Sequence, residues 1–152
     1  MASFLDLEST NWSYYSIPVA FVLCMAPHAY AVALAGKNYD ISNPRKTEEI
    51  CAKDEKMSKA TLKRISRARA AAANGFETLG LYAAAITAGN AAGLATGRMN
   101  RLALTYVLSR AVYNYVYVVL QDNARLAAVR PLVWGVGIAV VMGLFVGAAG
   151  KL

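Results

Sequence analysis

Four apolar stretches divide the chain, and each is about as long as a helix that crosses a membrane. These stretches are residues 11–36, 78–97, 102–121 and 131–150, and the third is interrupted by Arg110. About 20 consecutive apolar residues span a bilayer as a helix. The pattern predicts an all-α fold, an integral membrane four-helix bundle with spans at about 14–36, 70–97, 101–122 and 130–150. The whole chain is then a single membrane domain.

The polar connections between these spans differ in positive charge. Residues 37–69 contain ten Lys and Arg, and the connection before the fourth span adds Arg125 and Arg130. The positive residues on the opposite side are Arg98, Arg101 and Lys151. Cytoplasmic loops carry the excess of Lys and Arg. This asymmetry therefore predicts that residues 37–66 are cytoplasmic and that both termini face the lumen or the exterior. We expect a multi-pass protein of the endoplasmic reticulum or another intracellular membrane.

Two of the connections also predict helix geometry. Residues 98–101 are a short polar hinge between the second and third spans, so these spans should form an antiparallel hairpin. Residues 54–69 contain many cations and no Gly or Pro. They are expected to form a helix that continues into the second span and projects beyond the membrane.

Composition narrows the classes of function. Hydrophobic residues make up 57% of the chain and charged residues 16%, with a net charge of +7. The basic residues cluster between apolar spans, so the charge does not indicate a nucleic-acid partner. Cys24 in a span and Cys51 in a polar loop do not form a disulfide scaffold. With a single His28, expected to pack at a kink beside Pro27, they do not supply a tetrahedral metal site.

Polar side chains within the predicted spans indicate either a buried network or a pocket. At about 100° per residue, one face of the third span carries Arg110, Tyr113, Asn114, Tyr117 and Gln121. One face of the second helix carries Arg67, Asn74 and Glu77. Because the hairpin brings these faces together, Glu77 could neutralise Arg110 or Arg67. Alternatively, they line a pocket open to the cytoplasmic side, suited to an anionic polar ligand whose apolar co-substrate arrives from the lipid.

Small residues recur at helix-packing spacing in two of the spans. Gly89, Gly93 and Gly97 lie in the second span, and Gly143 and Gly147 lie in the fourth. Such seams let helices approach closely. They favour either packing within one bundle or an interface between copies of the chain, and the spacing does not distinguish these two interpretations.

Four segments resemble motifs of the MAPEG family, the membrane-associated proteins of eicosanoid and glutathione metabolism. They are residues 67–77 (RARAAAANGFE), Tyr39-Asp40 with Asn43-Pro44-Arg45, Arg110 to Tyr113 followed by Tyr117, and Arg130 to Trp134. The order of the motifs and the four predicted helices extend the resemblance over the whole chain. The resemblance implies a homotrimer of four-helix subunits that binds glutathione between neighbouring subunits near the cytoplasmic face.

The resemblance also implies roles for individual residues. The residues that would hold the tripeptide are Arg67, Asn74, Glu77, Arg110, Tyr113 and Tyr117. Arg130 or Arg125 would stabilise the thiolate of glutathione, and Tyr117 would assist in turnover. The chain departs from many family enzymes at Ala70, where they carry an additional Arg.

The function implied by the resemblance is that of a membrane-bound glutathione transferase or peroxidase. Such an enzyme conjugates or reduces lipophilic electrophiles or lipid hydroperoxides, with glutathione as co-substrate and the second reactant drawn from membrane lipid. The alternative is a non-catalytic oligomeric membrane scaffold or regulator of the same fold, in which the polar faces only lock the bundle.

Overall fold

Helices account for almost all the regular structure in the part of the chain that the structure describes. In this computed structural model, that part comprises residues 6–123, 126 and 128–151, and it contains no β-strand. The helices are α1 (Ser16–Ala35), α2 (Thr47–Lys53), α3 (Lys59–Ala91), α4 (Thr96–Val118) and α5 (Val129–Ala149). The prediction of an all-helical fold is confirmed.

Two helical segments are long and apolar enough to cross a membrane. One is Ser13–Asn38, which contains α1 and its flanking 3₁₀ turns, and the other is α5. The polar faces of α3 and α4 make these two helices less apolar. At 33 residues, α3 is about 50 Å long, which exceeds the roughly 30 Å hydrocarbon layer of a bilayer. This length agrees with the expectation that α3 extends into the polar connection before it.

The packing places α3 and α4 at the centre of the fold. Both α1 and α5 contact this central pair. The buried rings of Tyr82 on α3 and Tyr106 on α4 stack with their centroids 3.6 Å apart. The Tyr82 hydroxyl lies 2.5 Å from Ser16 Oγ, and the Tyr106 hydroxyl donates to Thr78 Oγ1 at 3.3 Å. The core therefore satisfies the polar atoms of both rings.

The closest approach of α1 to α3 is at Cys24 and Gly75. A Cβ atom built on Gly75 would lie 2.8 Å from Cys24 Sγ and 3.3 Å from Cys24 Cα. Distances this short force a neighbouring atom to move. The absence of a side chain at Gly75 is thus what lets the two helices touch.

We expect Gly75→Ala to lower the stability of the protein by about 1–3 kcal/mol, as overpacking of a core does. Thermal unfolding in detergent measures the change. The matched control is Gly80→Ala on the same helix, because a Cβ there meets nothing within 4 Å. Equal stability of the two variants would contradict the close contact between α1 and α3.

The turn between α3 and α4 differs from the prediction. Residues 98–101, predicted as the hinge, lie inside the first turns of α4, and the turn occupies residues 92–95. Gly93 has φ +70°, and the N–H groups of Leu94 and Gly93 donate to the carbonyls of Gly89 and Asn90, both at 3.0 Å. This is a Schellman ending. The helix boundary follows the left-handed glycine rather than the first charged residues.

An N-terminal arm, residues 6–12, closes this end of the fold. The side chain of Asn100 on α4 accepts a hydrogen bond from the Trp12 N–H and donates to the carbonyls of Leu7 and Thr10 at 2.8 and 2.7 Å. Glu8 forms an ion pair with Arg101. A single buried amide thus holds three backbone groups of the arm.

Helix α3 begins later in the sequence than predicted. The helix expected from residue 54 begins at Lys59, where Ser58 Oγ caps it by accepting from the Thr61 N–H at 3.1 Å. Asp54 instead forms a turn, accepting from Asn38 Nδ2 at 2.7 Å and from the Lys56 N–H at 3.0 Å. These hydrogen bonds hold the pKa of Asp54 below its ordinary value. The stability that they contribute is lost as the pH falls through this lowered pKa.

Candidate functional site

A cavity of about 430 Å³ opens between α3, α4 and the start of α5. Its walls are Ala70, Ala73, Asn74 and Glu77 from α3, Tyr113 and Tyr117 from α4, and Arg130, Pro131 and Trp134 from α5. These positions recur every three or four residues, so each helix presents one face to the cavity. The polar faces predicted for α3 and α4 therefore meet here.

Arg110 lies directly behind the polar wall and is nearly inaccessible, at 4% exposure. Its Nη2 donates to Asn74 Oδ1 at 3.0 Å, and its guanidinium carbon lies 4.5 Å from the centre of the Tyr113 ring. An amide oxygen and an aromatic face thus take the place of a carboxylate. The predicted neutralisation of Arg110 by Glu77 is wrong, because no ion pair of Arg110 occurs among the described residues.

Glu77 is instead exposed on the cavity wall. It follows Asn74 by three residues on the same face of α3, which carries it past the level of Arg110. Because its carboxylate faces open space, it can accept hydrogen bonds from a ligand ammonium group. The buried Arg110 places a positive charge directly behind the polar wall.

Arg130 and Tyr117 form the opposite part of the polar wall. The guanidinium carbon of Arg130 lies 4.5 Å from the centre of the Tyr117 ring. The Tyr117 ring meets the Tyr113 ring edge to face, with centroids 5.6 Å apart and an interplanar angle of 69°. The two phenols therefore lie next to each other, with Arg130 against Tyr117 on the wall and the buried Arg110 against Tyr113 behind it. Such donors stabilise an anion in a partly desolvated site.

The remaining walls of the cavity are apolar. Ala70 and Ala73 contribute methyl groups from α3, and Pro131 and Trp134 contribute ring surfaces from α5. Trp134 is 37% exposed, so its ring reaches both the cavity and the outer surface. The cavity therefore has a polar wall and an apolar wall side by side.

The structure brings together most of the residues singled out in the sequence. Asn74, Glu77, Tyr113, Tyr117 and Arg130 line the cavity, and Arg110 supports it. Arg67 does not line it, and its Nη2 donates to the Val118 carbonyl at 3.3 Å. Arg125 lies outside the described residues.

Sequence reasoning missed the apolar part of the cavity. Pro131 and Trp134 belong to a segment that resembles a family motif but have no predicted role, although Trp134 follows Arg130 by one helical turn. Ala73 precedes Asn74 in another such segment but gave no chemical signal. The spacing of four residues from Glu77 and from Arg130 is the signal that would have found Ala73 and Trp134, whereas Pro131 directly follows Arg130.

The described part of the chain is all-helical, with two helical segments apolar enough to cross a membrane and a polar site between α3, α4 and α5. The model of the MAPEG family matches residues 15–150, nearly the whole chain. The chain belongs to the MAPEG family. Proteins of this family are membrane-associated and generally use glutathione. Comparison with curated proteins and with solved structures gives no match.

Proposed function

We propose that this protein is a membrane-bound glutathione transferase or peroxidase that conjugates or reduces lipophilic electrophiles or lipid hydroperoxides. The observation that carries the proposal is the contact of Arg130 with Tyr117 in a cavity that also contains Asn74 and Glu77. These are the positions at which the chain resembles the glutathione-binding motifs of its family.

The polar wall suits each end of glutathione differently. Glu77 can bind the ammonium group, and Asn74 and Tyr113, with the buried Arg110 behind them, form the surroundings for the carboxylates. Arg67, which the resemblance also implies for this role, does not line the cavity. Arg130 and Tyr117 lie together and can stabilise the thiolate, a role for which Arg125 is the second candidate. Stabilisation of this anion raises the fraction of the nucleophile at neutral pH.

The reaction then needs little beyond the thiolate and proximity. In conjugation, the sulfur forms a bond to an electrophilic carbon, and the leaving group departs with the bonding electrons or a double bond shifts. In peroxide reduction, the sulfur attacks one peroxide oxygen, the O–O bond breaks, and the alkoxide takes a proton. A second glutathione then displaces water and forms the disulfide.

We further propose a homotrimer of four-helix membrane bundles in an intracellular membrane such as the endoplasmic reticulum. Family membership and the charge asymmetry of the connections support this arrangement. Native mass spectrometry in detergent measures the oligomeric state. A uniform monomer would exclude a site shared between subunits.

Glutathione titration calorimetry on the detergent-purified protein tests the proposed function. We expect binding of glutathione together with the ultraviolet absorbance of its thiolate. S-methylglutathione is the matched control ligand, because it keeps the carboxylates and the ammonium group but forms no thiolate. Absence of both binding and thiolate absorbance would exclude the enzyme.

The hydrogen bond of Arg110 to Asn74 supports a second candidate function, that of a non-catalytic scaffold or regulator. A purely structural network would bury and satisfy Arg110 in the same way. Ala70, in place of the additional Arg of many family enzymes, also favours it. The two candidates differ in calorimetry, since a scaffold would leave the glutathione titration flat.

The proposed orientation predicts the labelling of an engineered cysteine in the connection after α1. Cys51 is a poor reporter, because burial and the carboxylates of Asp54 and Glu48 raise the pKa of its thiol. Ile41 is 82% exposed, so Ile41→Cys should react with an impermeant maleimide only from the cytoplasmic side of sealed vesicles. Ser9→Cys, the control at the other end, should react only from the opposite side. The reverse result would invert the orientation.

A further inference from the structure

Pro27 removes one hydrogen bond from the middle of α1. Proline has no N–H group, so the carbonyl four residues earlier, that of Leu23, loses its helical donor. An unsatisfied carbonyl in an apolar environment is costly. In this structure, Nδ2 of Asn114 on α4 donates to the Leu23 carbonyl at 2.7 Å. A side chain from another helix thus occupies the place that the proline leaves open.

The same stretch of α4 is attached to α3 one turn earlier. Arg110 donates to Asn74 on α3 at 3.0 Å, and Asn114 follows Arg110 by four residues. Two polar attachments to two different helices restrict both the rotation of α4 about its axis and its displacement along it. Other hydrogen bonds of α4, from Tyr106 to Thr78 and from Arg67 to the Val118 carbonyl, join it to α3, whereas the bond of Asn114 joins it to α1.

The residues fixed by these attachments belong to the cavity wall. Tyr113 lies between Arg110 and Asn114 in sequence, and Tyr117 follows by one turn. The contact of Tyr117 with Arg130 at 4.5 Å and its edge contact with Tyr113 both depend on the rotational setting of α4. A rotation of α4 would move both phenols relative to α3 and α5.

We propose that Asn114 is a positioning residue for the glutathione site. It fixes the rotation and the axial position of α4 by donating to the Leu23 carbonyl, which Pro27 leaves without a helical donor. This inference rests on the proposed function for its consequence in binding and turnover. Asn114 itself does not line the cavity, since it faces α1 rather than α3 and α5. Its effect on the ligand is therefore transmitted through Tyr113 and Tyr117.

A purely structural role for Asn114 predicts a different response to a second substitution. Pro27→Ala restores an N–H group that can bond to the Leu23 carbonyl within α1. In an Asn114→Ala background, this change removes the cost of the unsatisfied carbonyl but does not restore the attachment of α4 to α1. The double variant therefore separates satisfaction of the carbonyl from positioning of α4.

The experiment compares wild type, Asn114→Ala, Pro27→Ala and the double variant by thermal unfolding and by glutathione kinetics in detergent. We expect Asn114→Ala to unfold at a lower temperature and the double variant to recover most of that loss. Both should have a lower kcat/KM than wild type, by as much as about 100-fold, the effect of a 1 Å displacement at a reactive site. Pro27→Ala should keep nearly full activity, because the second lone pair of the Leu23 carbonyl can still accept the hydrogen bond of Asn114.

A distance measurement makes the test independent of activity. Spin labels on Val22→Cys of α1 and Tyr115→Cys of α4 occupy exposed positions, 63% and 57% accessible, while the native cysteines are buried. We expect the interlabel distance distribution to shift or broaden in Asn114→Ala and in the double variant, and to remain narrow in Pro27→Ala.

Recovery of the narrow distribution and of wild-type kcat/KM in the double variant would overturn the proposal, because Asn114 would then only satisfy the carbonyl. Wild type that binds no glutathione would instead exclude the proposed function. The distance distributions would still decide whether Asn114 sets α4.

Discussion

Replacement of Arg130 by alanine is expected to lower kcat by about 10- to 1000-fold, the range for loss of one oriented electrostatic donor. Arg130 lies over the Tyr117 ring at the cavity wall, where charge develops on the glutathione sulfur. Groups that hold the two ends of the tripeptide bind ground and transition states alike, so they affect KM more than kcat. The thiolate absorbance of Arg130→Ala should also appear at a higher pH. Steady-state kinetics and ultraviolet pH titration measure these two effects.

Arg98→Ala is the matched control for this prediction. Arg98 is an exposed cation at the other end of α4, beside Gly147 of α5, and its loss should leave kcat unchanged. Arg130→Lys keeps the charge without the planar fork and should recover only part of the rate. Full activity of Arg130→Ala with loss of activity in Arg125→Ala would transfer the thiolate role to Arg125.

Substitution of Arg110 by methionine is expected to weaken glutathione binding by about 10- to 100-fold without unfolding the protein. Removal of a hydrogen-bonded charge costs about 1.5–3 kcal/mol of interaction, and each 1.4 kcal/mol is tenfold in Kd. The buried guanidinium has a desolvation cost, so an apolar side chain of similar volume can preserve stability. Calorimetry and thermal unfolding of the same preparation give both quantities.

Arg110→Lys separates the charge from the geometry at this position. A lysine ammonium keeps the positive charge beneath the wall but lacks the planar surface that lies over Tyr113. We expect intermediate affinity for it. Loss of folding in Arg110→Met with unchanged affinity in Arg110→Lys would assign Arg110 to the structural network rather than to glutathione binding.

The helical character of the fold and the part of the polar wall on α3 and α4 follow from spacing, whereas Arg130 is implied only by the resemblance to the MAPEG family. Asn74 and Glu77 share one face of α3, and Tyr113 and Tyr117 share one face of α4, because the helical period fixes which residues align. The hairpin connection then fixes which two faces meet. These inferences need no knowledge of side-chain conformation.

The partners of individual side chains could not be predicted in this way. Periodicity places Glu77 and Asn74 equally well opposite Arg110, and only the axial displacement between the helices selects Asn74. The hinge was placed at residues 98–101 because charge marks the edge of the apolar layer. The chain turns earlier, at Gly93, because backbone conformation and not polarity ends α3.

The bond between Asn114 and the Leu23 carbonyl joins residues 91 positions apart. The sequence shows that Pro27 frees a carbonyl, but it does not show which distant amide reaches it. The apolar part of the cavity was missed for a related reason. Alanine and proline carry no chemical signal, so their contribution is visible only once the three helices are packed.

Because of the hydrogen bonds of Asn100, the N-terminal arm can form its contacts only after α4 has been synthesised. The arm at residues 6–12 is synthesised before α4, and the amide that holds Trp12 is 88 residues further along the chain. At 5–20 residues per second, the arm waits roughly 4–18 seconds for this partner to be synthesised. During that interval water must hydrate the carbonyls of Leu7 and Thr10. The N-terminal arm is therefore made before α4, and it reaches its final contacts only after α4 is in place.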